Sequence, residues 1–233
     1  MDKKIILITG TRKGIGRHLV EYYSGKQFHT IGISRLDSDY KSDYYEHFCL
    51  DISDEKKVKS IFSIIRKKYG RLDVVINNAV LNPSISPFIL IPADTIINVY
   101  KTNVFGLMNV CREGIKLMMK NNFGRIINIS SMAVKHEVPG ETIYTSAKAA
   151  ITSFTRVLAK EVYNSGITCN IIAPAAIPTD LSLNVDQNAL KEVLGRNAIH
   201  NFGRMEDVTN ASDWILGDKS NAITGQIIYL GGV

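Results

Sequence analysis

Tyr144 and Lys148, in the run Tyr144-Thr145-Ser146-Ala147-Lys148, place a phenol and an ammonium four residues apart. On a helix that spacing puts both side chains on one face, with Cβ atoms roughly 5 to 6 Å apart. A free tyrosine has a pKa of about 10, so about one in a thousand is ionised at neutral pH, and a neighbouring cation lowers that value. The pair then becomes a general acid or base at working pH. The same spacing also fits a half-exposed aromatic beside a solvated lysine, so the choice rests on what surrounds the pair.

A working pair needs a helix held against a rigid scaffold. Short apolar runs alternate with amphipathic helical segments from end to end, a pattern that predicts a parallel sheet covered by helices on both faces. Strands are expected at 4–9, 29–34, 47–50, 74–77, 125–130, 168–173 and 226–230, which together make one doubly wound α/β sheet in a single domain. Between the third and fourth, Val58, Ile61, Phe62 and Ile65 recur at helical spacing. Ser53 is placed to cap that helix, Asp54 and Glu55 fall in its first turn, and Gly70 follows its end. Residues 181–203 are more polar than their flanks and follow Pro174 and Pro178, so they are expected to form a flap outside the sheet that selects substrate.

Composition narrows the function. The 233 residues suit one domain with a full core, and 45% apolar with 21% charged residues fits a globular chain rather than a disordered one. A net charge of +6 favours an anionic ligand such as a phosphate-bearing cofactor. The basic residues are scattered, with Arg66-Lys67-Lys68 the one run of three, which argues against a nucleic-acid surface. Cys49, Cys111 and Cys169 are odd in number, far apart and without metal-ligand spacing, and are read as reduced core thiols of a cytoplasmic protein. The apolar stretch Ile5 to Ile8 is too short for a signal-peptide core and no segment is long enough to span a bilayer, so no membrane association is expected.

The first strand runs into Thr9-Gly10-Thr11-Arg12-Lys13-Gly14-Ile15-Gly16 and then a helix carrying Leu19, Tyr22 and Tyr23. Glycines at a strand-to-helix turn let backbone approach a pyrophosphate, which then sits at the positive helix end. A tight connection with no ligand fits the same glycines. This turn, Asn77-Asn78-Ala79, Asn103, Ser131, Tyr144 and Lys148, in that order, resemble the T-G-x-x-x-G-x-G, N-N-A-G and Asn-Ser-Tyr-Lys pattern of the short-chain dehydrogenase/reductase family. The likeness extends over essentially the whole chain, to Ile223-Thr224-Gly225-Gln226 and Gly231-Gly232. Val80 and Ala175 stand where the family usually has glycine.

That resemblance implies a seven-stranded Rossmann fold, a nicotinamide cofactor and a small-molecule carbonyl or alcohol substrate. The cofactor contacts it implies are Gly10, Arg12, Lys13, Gly14, Ile15 and Gly16 of the turn, with Ser34, Arg35, Asp51, Ile52, Asn78 and Ala79 on the adenosine side. Pro174, Ile177 and Thr179, with Tyr144 and Lys148, belong to the nicotinamide side. Ser34 stands where NAD-using members place a carboxylate, and Arg35 offers a charge-assisted fork for a 2′-phosphate. NADP(H) is therefore preferred, with NAD(H) possible through Asp37 if the loop shifts. Asp51 suits adenine contact or the cap of the following helix.

For catalysis the resemblance implies Tyr144 as proton donor in reduction, with Lys148 lowering its pKa. Ser131 then holds the substrate carbonyl and Asn103 holds a water in a relay to solvent. Ser130 competes with Ser131, and the family's usual separation from the tyrosine falls on Ser131. The run around Ser146-Ala147-Lys148 resembles 3-oxoacyl-(acyl-carrier-protein) reductases, but Asn122 and Ser165 replace the arginines that dock the carrier protein. A general carbonyl reductase is the first expectation, that reductase the second. A dinucleotide-binding subunit without turnover is a third, and it usually lacks the tyrosine or lysine kept here. Helices expected at 96–120 and 145–163 are apolar around much of their circumference, and their family equivalents pack against copies, so a homo-oligomer, a tetramer or dimer, is expected.

Overall fold

Seven parallel strands are expected and seven form, hydrogen-bonded in the order β3-β2-β1-β4-β5-β6-β7. They are β1 (Ile5–Thr9), β2 (His29–Ser34), β3 (Tyr45–Cys49), β4 (Val74–Asn77), β5 (Gly124–Ile129), β6 (Ile167–Ala173) and β7 (Ile227–Tyr229). The computed structural model describes residues 3–178 and 194–232. Strand order reverses between β1 and β4, and the crevice beyond the carboxyl ends of strands at such a reversal is where α/β sheets bind ligands.

The strands read as continuous apolar runs because both faces are covered. Leu7, Ile31, Val75 and Ile126 pack on one side against Phe62 of α2 (Glu55–Tyr69), Val110 of α4 (Leu107–Met118) and Ile151 of α6 (Thr142–Val162). Their neighbours Ile6, Ile8, Ile76 and Ile127 pack on the other side against Leu19 and Tyr23 of α1 (Gly14–Gly25) and Val208 and Ile215 of α7 (Met205–Leu216). The two-residue period of a strand thus divides the core into two layers.

Local chemistry departs from expectation at three places. Asp54, not Ser53, caps α2: its carboxylate accepts from the Lys57 backbone N–H at 3.1 Å, while the Ser53 N–H is taken by Asp51 at 2.8 Å. A charged oxygen one residue closer to the first turn outcompetes the hydroxyl. The apolar stretch expected as one helix over 96–120 is divided into α3 (Ala93–Tyr100), a π-helical turn over Lys101–Gly106, and α4. Cys111 and Cys169 are buried, but Cys49 is exposed, because β3 forms the edge of the sheet.

Thr179 and residues 181–193 of the expected flap lie outside the described residues. Of the remainder, Leu194 and Asn197 are buried, and the Ile199 N–H donates to the Gly231 carbonyl at 2.8 Å, so this part docks on the end of the chain. No helix among the described residues is long and apolar enough to cross a membrane.

Candidate active site

Three glycines shape the turn after β1, for different reasons. Gly10 and Gly14 have φ of +74° and +59°, left-handed conformations that side chains disfavour. Gly16 has an ordinary φ but no room, since a Cβ there would lie 2.1 Å from the Gly10 carbonyl oxygen. The Thr9 hydroxyl accepts from the backbone N–H groups of Asn78 and Ala79 at 3.1 and 3.0 Å. The Asn78 amide donates to the carbonyls of Thr9 and Gly10 at 3.0 and 3.2 Å. The loop after β4 therefore braces the turn. α1 starts after Lys13 with no side-chain cap, which leaves its first N–H groups and the positive end of its dipole for an anion.

A cleft opens here, lined by the predicted residues Gly10, Arg12, Lys13, Gly14 and Ile15 of the turn. Ser34 and Arg35 after β2, Asp51 and Ile52 after β3, and Asn78 and Ala79 after β4 complete the predicted wall. Ile33, Leu36, Leu50, Val80 and Thr102 line it too and were not anticipated. In sequence the apolar ones look like any core residue; only Val80, as a departure from the family pattern, carried a signal. Among the described residues the cleft presents Arg12, Lys13 and Arg35 against the carboxylate of Asp51. Asp37 is not in its wall, and its carboxylate accepts from the adjacent Ser38 N–H at 2.8 Å. Gly16 lies buried behind the turn.

Beyond the cleft, Thr102 leads into the residues expected to do chemistry. Asn103 sits in the π-helical turn, 2% exposed, and its amide is committed to backbone: it accepts from the Leu81 N–H at 2.7 Å and donates to the Leu81 carbonyl at 2.9 Å. π-helical turns concentrate at functional sites because the extra residue redirects backbone groups. Ser130 is buried with its N–H on the Ile172 carbonyl, whereas the half-buried Ser131 hydroxyl accepts from the Ala133 N–H at 3.1 Å and lies near enough to the Tyr144 phenol to favour its ionised form.

The electrostatics correct one expectation. Loss of solvation raises the Tyr144 phenol to about 12, with the Glu141 carboxylate adding to the rise and Ser131 opposing it. Lys148, 3% exposed, donates to the Ile129 carbonyl at 2.7 Å, and its Nζ stands 5.8 Å from the Tyr144 ring centre. Turned away like this, the ammonium does not lower the phenol's pKa; desolvation outweighs it. Burial also brings Lys148 down to about 8, so it exchanges protons readily near neutral pH. Pro174 accepts from the Met132 N–H at 3.1 Å, and Ile177 packs in the core layer under α1 and α7; neither is in the wall of the cleft.

A family model described as short chain dehydrogenase matches residues 4–190. The 3-oxoacyl-(acyl-carrier-protein) reductase of Haemophilus influenzae is 29% identical over 238 residues, covering 100% of this chain and 98% of that protein. The corresponding reductase of Thermotoga maritima is 30% identical, covering 100% and 98%. Among solved structures, ElxO with NADP bound superposes with a TM-score of 0.88 at 29% identity over 98% of this chain and 97% of that one. A short chain dehydrogenase from Leptospira borgpetersenii with bound NAD+ has a TM-score of 0.89 at 24% identity, covering 99% and 92%, a likeness of fold.

Proposed function

The chain belongs to the short-chain dehydrogenase/reductase family, and we propose that within it the protein is an NADP(H)-dependent carbonyl reductase with Tyr144 as the general acid. One observation carries this reading: Tyr144 has Lys148 buried one helical turn away and Ser131 near enough to oppose the rise of its pKa, while Asn103 adjoins Thr102 in the wall of a cleft that suits a dinucleotide. Three glycines, an uncapped helix start and three cations fit a pyrophosphate and further phosphate. Nicotinamide, when bound, supplies the hydride.

The chain's own residues handle charge and proton. As negative charge develops on the substrate oxygen, the Ser131 hydroxyl and the Tyr144 phenol donate to it, and Tyr144 then gives up its proton. A phenol held protonated suits the reductive direction. Lys148 swings from the Ile129 carbonyl toward Tyr144 to stabilise the phenolate, and its own pKa of about 8 lets it return a proton afterwards. With both its amide groups on Leu81, Asn103 anchors the π-helical turn beside the catalytic residues.

The preference for NADP(H) rests on Arg12, Lys13 and Arg35 in the cleft, on Asp37 standing outside it, and on the likeness to ElxO, whose solved form holds NADP. Arg35→Asp is expected to weaken NADPH binding by roughly 10- to 100-fold, the worth of a charged hydrogen bond, and to leave NADH within a few-fold in fluorescence titrations. Equal losses would remove the phosphate contact.

The test of function is a spectrophotometric screen of NADPH and NADH oxidation against ketones, keto-sugars and oxoacyl thioesters. NADPH oxidation with at least one class supports the reading, and no turnover across the panel overturns it. The relatives favour a second reading, reduction of 3-oxoacyl thioesters. Activity on a carrier-protein thioester far above that on the coenzyme A thioester would establish it despite Asn122 and Ser165. Phe105 in the π-helical turn, Val157 in α6 and Tyr163 just after it are exposed apolar groups, which fits a homotetramer. Light scattering at micromolar concentration is expected to give four times the chain mass, and a monomer mass excludes it.

A further inference from the structure

Asp37, His47 and Cys49 take no part in the cleft wall or the catalytic group, yet one ligand atom of each lies within 4.8 Å of the others. The period of β3 puts Tyr45, His47 and Cys49 on one face of the edge strand. The loop after β2 brings Asp37 over that face, since Ser34 lies opposite Cys49 in the strand register. His47 is held from behind. Its Nδ1 lies 2.7 Å from the Tyr45 hydroxyl, and that hydroxyl fits only because residue 32 is glycine: a Cβ there would come within 2.4 Å of it. His47 Nε2 faces the loop, 3.1 Å from both the Ser34 hydroxyl and the Leu36 carbonyl.

We propose that Asp37, His47 and Cys49 form a zinc(II) site, with a fourth position open to water. One imidazole, one thiolate and one carboxylate is a donor set for zinc, not for magnesium or calcium, which take oxygen ligands. Tetrahedral zinc with bonds of about 2.0 to 2.3 Å needs ligand atoms about 3.3 to 3.8 Å apart. Asp37 and Cys49 are exposed, so rotation of their side chains can close the remaining distance, with the Asp37 carboxylate giving up or sharing its bond to the Ser38 N–H. Tyr45 acts as the outer-shell partner that fixes the imidazole. When zinc takes Nε2, the Ser34 hydroxyl keeps its 2.6 Å bond to the Leu36 carbonyl, so neither group is orphaned. Forming the zinc–sulfur bond releases the Cys49 thiol proton to solvent. With two anionic ligands the site is neutral, and it ties the loop carrying Ser34 and Arg35 to β3.

Metal-free, reduced full-length protein titrated with zinc chloride against a chromophoric chelator is expected to bind one equivalent with Kd at or below about 1 µM. Cys49→Ser and His47→Gln are each expected to weaken binding at least about tenfold. Cobalt(II) supplies a second readout: a sulfur-to-metal charge-transfer band in the wild type, absent in Cys49→Ser, with unchanged circular dichroism. No binding below about 100 µM, or equal affinity in wild type and both variants, would overturn the site and leave His47 as a hydrogen-bonded latch.

Discussion

Tyr144→Phe is expected to lower kcat/KM for carbonyl reduction by about 100- to 10,000-fold, the worth of a positioned general acid, while NADPH binds within a few-fold of wild type. The substitution removes one oxygen from a ring that stays packed, so the fold is unchanged. Ser131 remains and still donates to the substrate oxygen, but the phenol that gives up the proton is gone. Comparable rates for wild type and variant would dismiss Tyr144 as the acid. The pH profile adds a second check, because a phenol that burial holds near 12 stays protonated through the physiological range. Reduction by the wild type should therefore show no loss from the Tyr144 proton below about pH 9.

Lys148→Met should stabilise the cofactor-free protein while abolishing turnover. Burial of the ammonium lowers its pKa from 10.5 to about 8, which corresponds to a penalty of roughly 3 kcal/mol on the charged form. For a lysine with a depressed folded-state pKa, the unfolded chain binds more protons between pH 8 and 10.5, so stability of the wild type rises with pH across that window. Below pH 8 the penalty is present in full. Methionine has similar length and no charge, but it leaves the Ile129 carbonyl without its donor, which costs about 1 to 2 kcal/mol. The net gain at pH 7 is about 1 to 2 kcal/mol, and it should shrink or reverse by pH 10. Urea unfolding at the two pH values measures both. A variant less stable at pH 7 than at pH 10 relative to wild type would refute the buried-charge account.

The fold was legible because its determinants are periodic and local. Both faces of β1, β4, β5 and β6 are covered, so their apolar runs stand out, and the helix of Val58, Ile61, Phe62 and Ile65 was readable from its spacing. The cleft was readable for the same reason: glycines at a strand-to-helix turn perform a local task, and Gly10 and Gly14 do adopt left-handed conformations. The apolar wall of Ile33, Leu36 and Leu50 was not, since nothing in a leucine tells whether it faces a core or a ligand. Similarly, the cap of α2 turned on competition between Ser53 and Asp54, two residues of similar capping propensity, settled by the position and charge of the Asp54 oxygen.

Sequence alone determined the strand order's raw material, the glycine turn and the phenol and ammonium one turn apart on a helix, because each depends on neighbours along the chain. Only the tertiary structure decided the protonation of Tyr144 and Lys148, since desolvation comes from residues distant in sequence. It also decided that Cys49 is exposed and that Asp37 and His47 stand beside it, where a search for paired cysteine spacing had no reason to look. Side chains brought together by strand register and a crossing loop carry no signature of their meeting until the sheet is assembled.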